Sequence, residues 1–489
     1  MQQFNHSCAA CLLFGTSSLL AAQTAPTTTG APNATSAPSA PSAPSAPSAQ
    51  SSKVDRSQSK LDAMKSDVQV SYLANPSEIT ALGLRSQWQV TIPSGKTASM
   101  AGMSLDENEI FAWDRFGIVT RLKSETGSVL WQGSTQSKLD KIFGVNILEA
   151  GTTPAALALT DAESVAFEDG SGALLAQQSL RRVPATAGAT SKNSVVYGDA
   201  EGRIIWLNLM ESNIAKVQTK RNAPGEYTSS SERPTRRTVI CREEYAAMSL
   251  GKVVTPPVSV SGVGVLTVST GGEVCLFHAT NSKPIWKFKS NAPFVSKPVT
   301  CDGVVYVAGK DQYLHALDLK TGLVMWNWFT QVPLLNSPLA TSDLVVLQVP
   351  EEGLVAFNAN PGEKVGGAVQ WKSKAAGNAI TRTKDGFIVW DDASRTMTLV
   401  ETKAGGITAS ATFLNAVWVG ASSPVDGTIM LLSKDGRMQQ LRPIEFMKAV
   451  TTPKAVDEKP KNNENPAVDP DKVADMPENA GENAGESTP

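Results

Sequence analysis

The chain has 489 residues, 41% of them hydrophobic and 18% charged, with a formal net charge of −2. That length allows two or three domains, and the near-neutral balance excludes a polycationic nucleic-acid binder. With histidine only at positions 6, 278 and 315, the sequence has no HExxH and no Cys/His cluster at zinc spacing, and the GxSxG and Walker-type loops are absent as well.

At the N-terminus the apolar run Cys8-Ala-Ala-Cys-Leu-Leu-Phe-Gly-Thr-Ser-Ser-Leu-Leu-Ala-Ala22 ends in small residues. It predicts an export signal over residues 1–22, although no Lys or Arg precedes it. Cys11 is followed by Leu-Leu-Phe, unlike a bacterial lipoprotein signal, whose cysteine is followed by polar residues. Residues 23–84 form a Ser/Ala/Pro-rich tether. Its Ser-Ala-Pro repeat between Thr24 and Ser52 favours extended polyproline II and cannot build a core. A short amphipathic helix is expected around Lys60 to Lys65.

Beyond the tether, Gln87-Trp88-Gln89-Val90 reads as a lone strand carrying a large aromatic. One pattern then recurs along the chain, best preserved in Tyr313-Leu-His-Ala-Leu-Asp-Leu-Lys-Thr-Gly-Leu-Val-Met-Trp326. It combines an alternating strand, a polar turn in which Gly takes positive φ, and a second strand with an aromatic anchor. The same frame places anchors at Trp131, Ala176, Lys216, Trp286, Trp326, Trp371 and Ala409, with Gly362 as the turn glycine before Trp371. Apart from the long interval between Lys216 and Trp286, the spacing is that of four-stranded propeller blades, about 40 residues each.

Three further strands, in Asn415–Gly420, Gly427–Ser433 and Gly436–Arg442, begin an eighth blade and stop. The Trp88 strand supplies the missing fourth and so closes the ring, which removes the edge a linear array would expose. The expected fold is therefore all-β, an eight-bladed propeller of four-stranded blades over residues 85–444. It carries an insertion at 219–252 between blades three and four and a disordered acidic tail at 445–489. Trp88, Trp131, Trp286, Trp326 and Trp371 are its structural blade anchors.

Chemistry is sparse. His278 falls in the acid slot of the frame and His315 lies mid-strand among core residues, so both read as structural. Asp318, Glu168 and Glu401 recur at one frame position, where a carboxylate satisfies turn amides. Cys241, Cys275 and Cys301 allow either one disulfide with a spare thiol or three buried thiols.

The Ala316-Leu-Asp-Leu-Lys-Thr-Gly-Leu-Val-Met-Trp326 frame resembles the repeat of pyrroloquinoline-quinone-type propellers. Within that superfamily, three features are similar to the BamB family, propeller subunits of the bacterial outer-membrane β-barrel assembly machinery. They are Trp113-Asp-Arg-Phe-Gly117, Ser179-Leu-Arg181 followed by Val195-Val-Tyr-Gly-Asp-Ala-Glu-Gly-Arg203, and the ending Leu432-Ser-Lys-Asp-Gly-Arg437. The resemblance implies a non-enzymatic periplasmic scaffold, outer-membrane associated, whose partner is the periplasmic part of the barrel-insertion subunit and whose clients include unfolded barrel substrates.

It assigns partner contact to Leu180 and Arg181, with Arg182 beside them, and implies no cofactor, no quinone and no metal. Family acids before the Thr-Pro of blade four are not matched by Gly251-Lys-Val-Val254. Two other readings share the fold: an exported propeller binding another protein or a cell-wall glycan, and a quinoprotein dehydrogenase. The dehydrogenases typically carry a vicinal cysteine pair, which this chain lacks.

Overall fold

The computed structural model describes residues 72–444, except 95–98, 107–108, 138–139, 151–152, 214–236 and 360–365. The export signal, the Ser-Ala-Pro repeat, the Lys60 to Lys65 segment and the acidic tail lie outside the described residues. Eight four-stranded antiparallel sheets form an eight-bladed β-propeller, seven of them running in chain order from innermost to outermost strand. The eighth joins Trp418–Ala421, Ile429–Leu432 and Arg437–Pro443 to Leu84–Thr91, with Trp88 opposite Gln440. The closure expected from the sequence is the one observed.

Sequence pattern explains the layering. Second strands such as Ser194–Gly198, Gly264–Val268 and Val304–Ala308 are buried along their whole length, because each is covered by neighbouring blades on both faces. They accordingly read as unbroken apolar runs. Outermost strands such as Val129–Ser134 alternate between exposed and buried positions, as expected where one face meets water.

Every blade repeats one irregularity. The outermost strand carries a bulge one step before its anchor, as between the Ala316–Trp326 and Leu317–Val324 pairs. The anchor's indole then lies on the turn glycine of the next blade: Trp88 on Gly127, Trp131 on Gly172, Trp286 on Gly322, Trp326 on Gly367 and Trp371 on Gly405. In four of these pairs the indole N–H donates to a turn carbonyl, that of Ser124, Asp169, Leu319 or Thr402, at 2.6–2.9 Å. The acid in the turn works locally. Asp318 Oδ1 accepts from the Lys320 and Thr321 amides and the Thr321 hydroxyl, and these bonds from Thr321 hold its carboxyl below the usual range.

Gly322 shows why the turn needs glycine. Its φ is +71°, and a Cβ there would lie 2.5 Å from the Trp286 indole. Gly303 has a similar φ of +78° with open space around it. Gly303→Ala is therefore expected to cost about 1–2 kcal/mol from backbone strain alone, and Gly322→Ala about 2–4 kcal/mol because the indole must also shift. Equal losses in urea melts would show that indole docking adds nothing.

Five expectations need correction. Lys216, the expected anchor of blade three, lies outside the described residues, and the anchor place falls to another residue: Arg203–Asn213 pairs with Arg237–Met248, and the bulge there places Tyr245 opposite Trp206. Tyr245 packs with Trp206, Val253 and Cys275 at the boundary of blades three and four, so the extra chain lies within the outer hairpin of blade three and not between blades. The expected 219–252 insertion thus contains that blade's outermost strand. The glycine under Trp326 is Gly367; Gly362 lies outside the described residues.

The folded unit also begins before residue 85. A helix spans Pro76–Ala81, and Leu73, Ala74, Ile79 and Leu82 are buried against blades seven and eight. Finally, none of the three cysteines is paired, and Cys301 is only half-buried while Cys241 and Cys275 are buried.

Candidate partner-binding surface

In an antiparallel four-stranded blade, the loops leaving outermost strands and the turns between second and third strands emerge on the same side of the ring. Residues 180–188, which join blades two and three, lie there. Strand Leu174–Ser179 delivers Leu180, whose N–H donates to the Ala162 carbonyl at 2.8 Å and whose side chain packs half-buried on the core between these blades. Arg181 is exposed. Arg182 turns back, pairing with Glu243 at 3.1 Å, and its carbonyl accepts the Tyr197 hydroxyl at 3.4 Å. The three residues named from the sequence therefore differ: Leu180 seats the loop, Arg182 fastens it to blade three, and Arg181 faces solvent.

Beneath Arg181 a crevice of about 480 Å³ opens between the blades, lined by Gln178, Leu180, Tyr197, Cys241 and Glu243 among others. Its buried groups are held neutral. Burial pushes the Cys241 thiol up to about 11, and burial together with nearby Glu243 raises the Tyr197 hydroxyl well above its ordinary value.

The apolar neighbours of this loop were not legible in the sequence. Val183, Met248, Leu250 and Val254 are 55%, 62%, 47% and 45% exposed. The turn of blade three ties them together, since Ala200 N–H donates to the Val183 carbonyl and Ser249 N–H to the Gly202 carbonyl. Asp199 shapes that turn by accepting the Glu201 and Arg203 amides at 2.9 and 2.7 Å. Val183, Leu250 and Val254 sit in loops and Met248 at a strand's last position, where no periodicity marks them; large apolar residues in or beside an inter-blade connection are the only available signal.

His315 is buried, bonded through Nε2 to Asp311 at 2.7 Å and ringed by Phe288, Phe294 and Tyr313. His278 is exposed. Among the described residues, no three His, Cys, Asp or Glu side chains gather to hold a metal ion.

Taken with the closed ring, the indole-on-glycine contacts define an eight-bladed propeller of pyrroloquinoline-quinone-type repeats. A family model described as outer membrane protein assembly factor BamB matches residues 161–387. The crystal structure of BamB from Moraxella catarrhalis superposes with a TM-score of 0.52 at 17% identity, covering 74% of this chain and 98% of that one. The chain is a propeller that resembles BamB over the matched residues and shares its fold.

Two other similar structures are the computationally designed Ika8 protein and the C-terminal WD40 domain of Sif2. Both have TM-scores of 0.49, with 13% and 11% identity and coverage of 71% and 73% of this chain and 98% of each of theirs. No curated protein matches the chain.

Proposed function

We propose that this chain is a non-enzymatic periplasmic scaffold that supports the assembly and insertion of β-barrel proteins into the outer membrane, working through protein–protein contacts. The observation that carries this reading is Arg181. It stands exposed at the mouth of a crevice whose walls are fixed by two packed blades, and it has no ion pair among the described residues. The BamB family match includes this loop. Leu180 and Arg182 hold the loop while Arg181 makes the contact, with Val183, Leu250 and Val254 as an apolar surround of the kind that rims interfaces. The partner is the periplasmic part of the barrel-insertion subunit, and export follows from the apolar run before Ala22.

A photocrosslinking residue at position 181, used in cells and followed by identification of the captured protein, tests this directly. Capture of barrel-assembly subunits is expected; their absence from the captured set refutes the reading. Arg181→Glu should weaken capture while leaving the melting temperature within about 2 °C, because a loop charge reversal removes no core. An equal fall in stability and binding would make Arg181 structural. Bound-quinone absorbance, or dye-linked dehydrogenase activity after adding calcium and quinone, would place the chain with the enzymes instead.

A further inference from the structure

Arg237–Met248, with 12 residues, is the longest strand among the described residues and the outermost of its sheet. The outermost strands of the other blades run from 5 to 8 residues. An exposed edge of such length is a template for strand pairing unless it is blunted or covered.

One hydrogen bond shows which backbone groups face outward. The Cys241 N–H donates to Gln178 Oε1 at 3.2 Å, on blade two, while its ladder partner Leu209 turns its own N–H inward to the Asn193 carbonyl at 3.3 Å. By the alternation of antiparallel ladders, Val239 and Glu243 direct their backbone groups the same way. The Gln178 carboxamide oxygen thus occupies the place of a carbonyl on an added strand. Arg181 and Arg242 both line the crevice beside this edge, both are exposed, and neither has an ion pair among the described residues.

We propose that this edge receives an extended segment of another polypeptide as a fifth strand. The segment hydrogen-bonds to the backbone of Val239, Cys241 and Glu243, displaces Gln178, and turns a carboxylate side chain toward Arg181 and Arg242. Only an extended peptide backbone offers alternating donors and acceptors at strand spacing. Two unpaired cations beside Glu243 and Glu244 provide too little charge for a nucleic acid. The inference shares Arg181 with the function proposed above. Gln178 and Val239 belong to it alone, so the two can fail separately.

The test uses the full chain and a fluorescein-labelled ten-residue peptide of alternating Val and Thr with two Asp near one end, read by anisotropy. A matched peptide N-methylated on its bonding side should bind at least about tenfold more weakly. Val239→Pro should weaken the parent peptide about tenfold with little change in melting temperature, because proline is tolerated where the strand N–H faces outward. Arg242→Glu should weaken it about fivefold. Gln178→Ala should tighten it about threefold, since no internal carbonyl then competes. Equal binding of the two peptides, looser binding by Gln178→Ala, or no binding by either wild type or Gln178→Ala overturns the proposal.

Discussion

Deleting residues 72–91 is expected to abolish the cooperatively folded ring. The deletion removes strand Leu84–Thr91, paired along its length with Arg437–Pro443, and the buried side chains of Leu73, Ile79, Leu82 and Leu84. At about 1.5–3 kcal/mol for each buried side chain, these four alone rival the 5–15 kcal/mol net stability typical of a domain. Polar groups would be stranded as well. Gln439, fully buried, accepts from the Ala74 N–H at 2.7 Å and donates to the Ala74 carbonyl at 3.2 Å and the Ser86 hydroxyl at 3.1 Å.

The same segment helps fasten blade eight to blade one, because Trp88 Nε1 donates to the Ser124 carbonyl at 2.9 Å beside the matching bond from Gln440 Nε2. Denaturant unfolding followed by tryptophan fluorescence, with size-exclusion chromatography, should show a broad transition and self-association. A sharp transition within about 2 kcal/mol of the intact protein would show that the ring does not depend on its closing strand.

Trp286→Ala is expected to cost about 3–5 kcal/mol by opening a cavity between blades four and five. Trp286 is 8% exposed and is packed with Val305, Val307 and Leu317; its N–H bond to the Leu319 carbonyl at 2.8 Å would also be lost. Trp326 occupies the same frame position but is only partly buried, with Tyr306 5.8 Å from its ring centroid. Trp326→Ala should therefore cost less than Trp286→Ala. Guanidinium melts of the two variants decide the point, and the reverse order would contradict the reading that buried indole area sets an anchor's contribution.

Much of this molecule is legible without coordinates because a propeller blade folds on local rules. An alternating strand, an acid that caps its own turn, a glycine at positive φ and an aromatic all fall within one short frame, as in Tyr313 to Trp326. Each anchor needs only the turn of the following repeat, so the period itself carries the contact. Ring closure was legible for a related reason: Trp88 has an anchor's surroundings but no hairpin before it, and the last blade lacks one strand.

The candidate site was legible only by resemblance. Its loop could be located from Ser179-Leu-Arg181, but the different fates of Leu180, Arg181 and Arg182 depend on Ala162, Tyr197 and Glu243, which come from other strands. Tertiary structure alone decided the outer hairpin of blade three. Once extra residues separate two paired strands, local spacing no longer reports the partner, so Lys216 held the expected anchor place while Tyr245 took the role. The burial of residues 73–82 was equally out of reach. Their apolar side chains find their complement on blades seven and eight, hundreds of residues away along the chain, and no local pattern encodes a surface that exists only after the ring has closed.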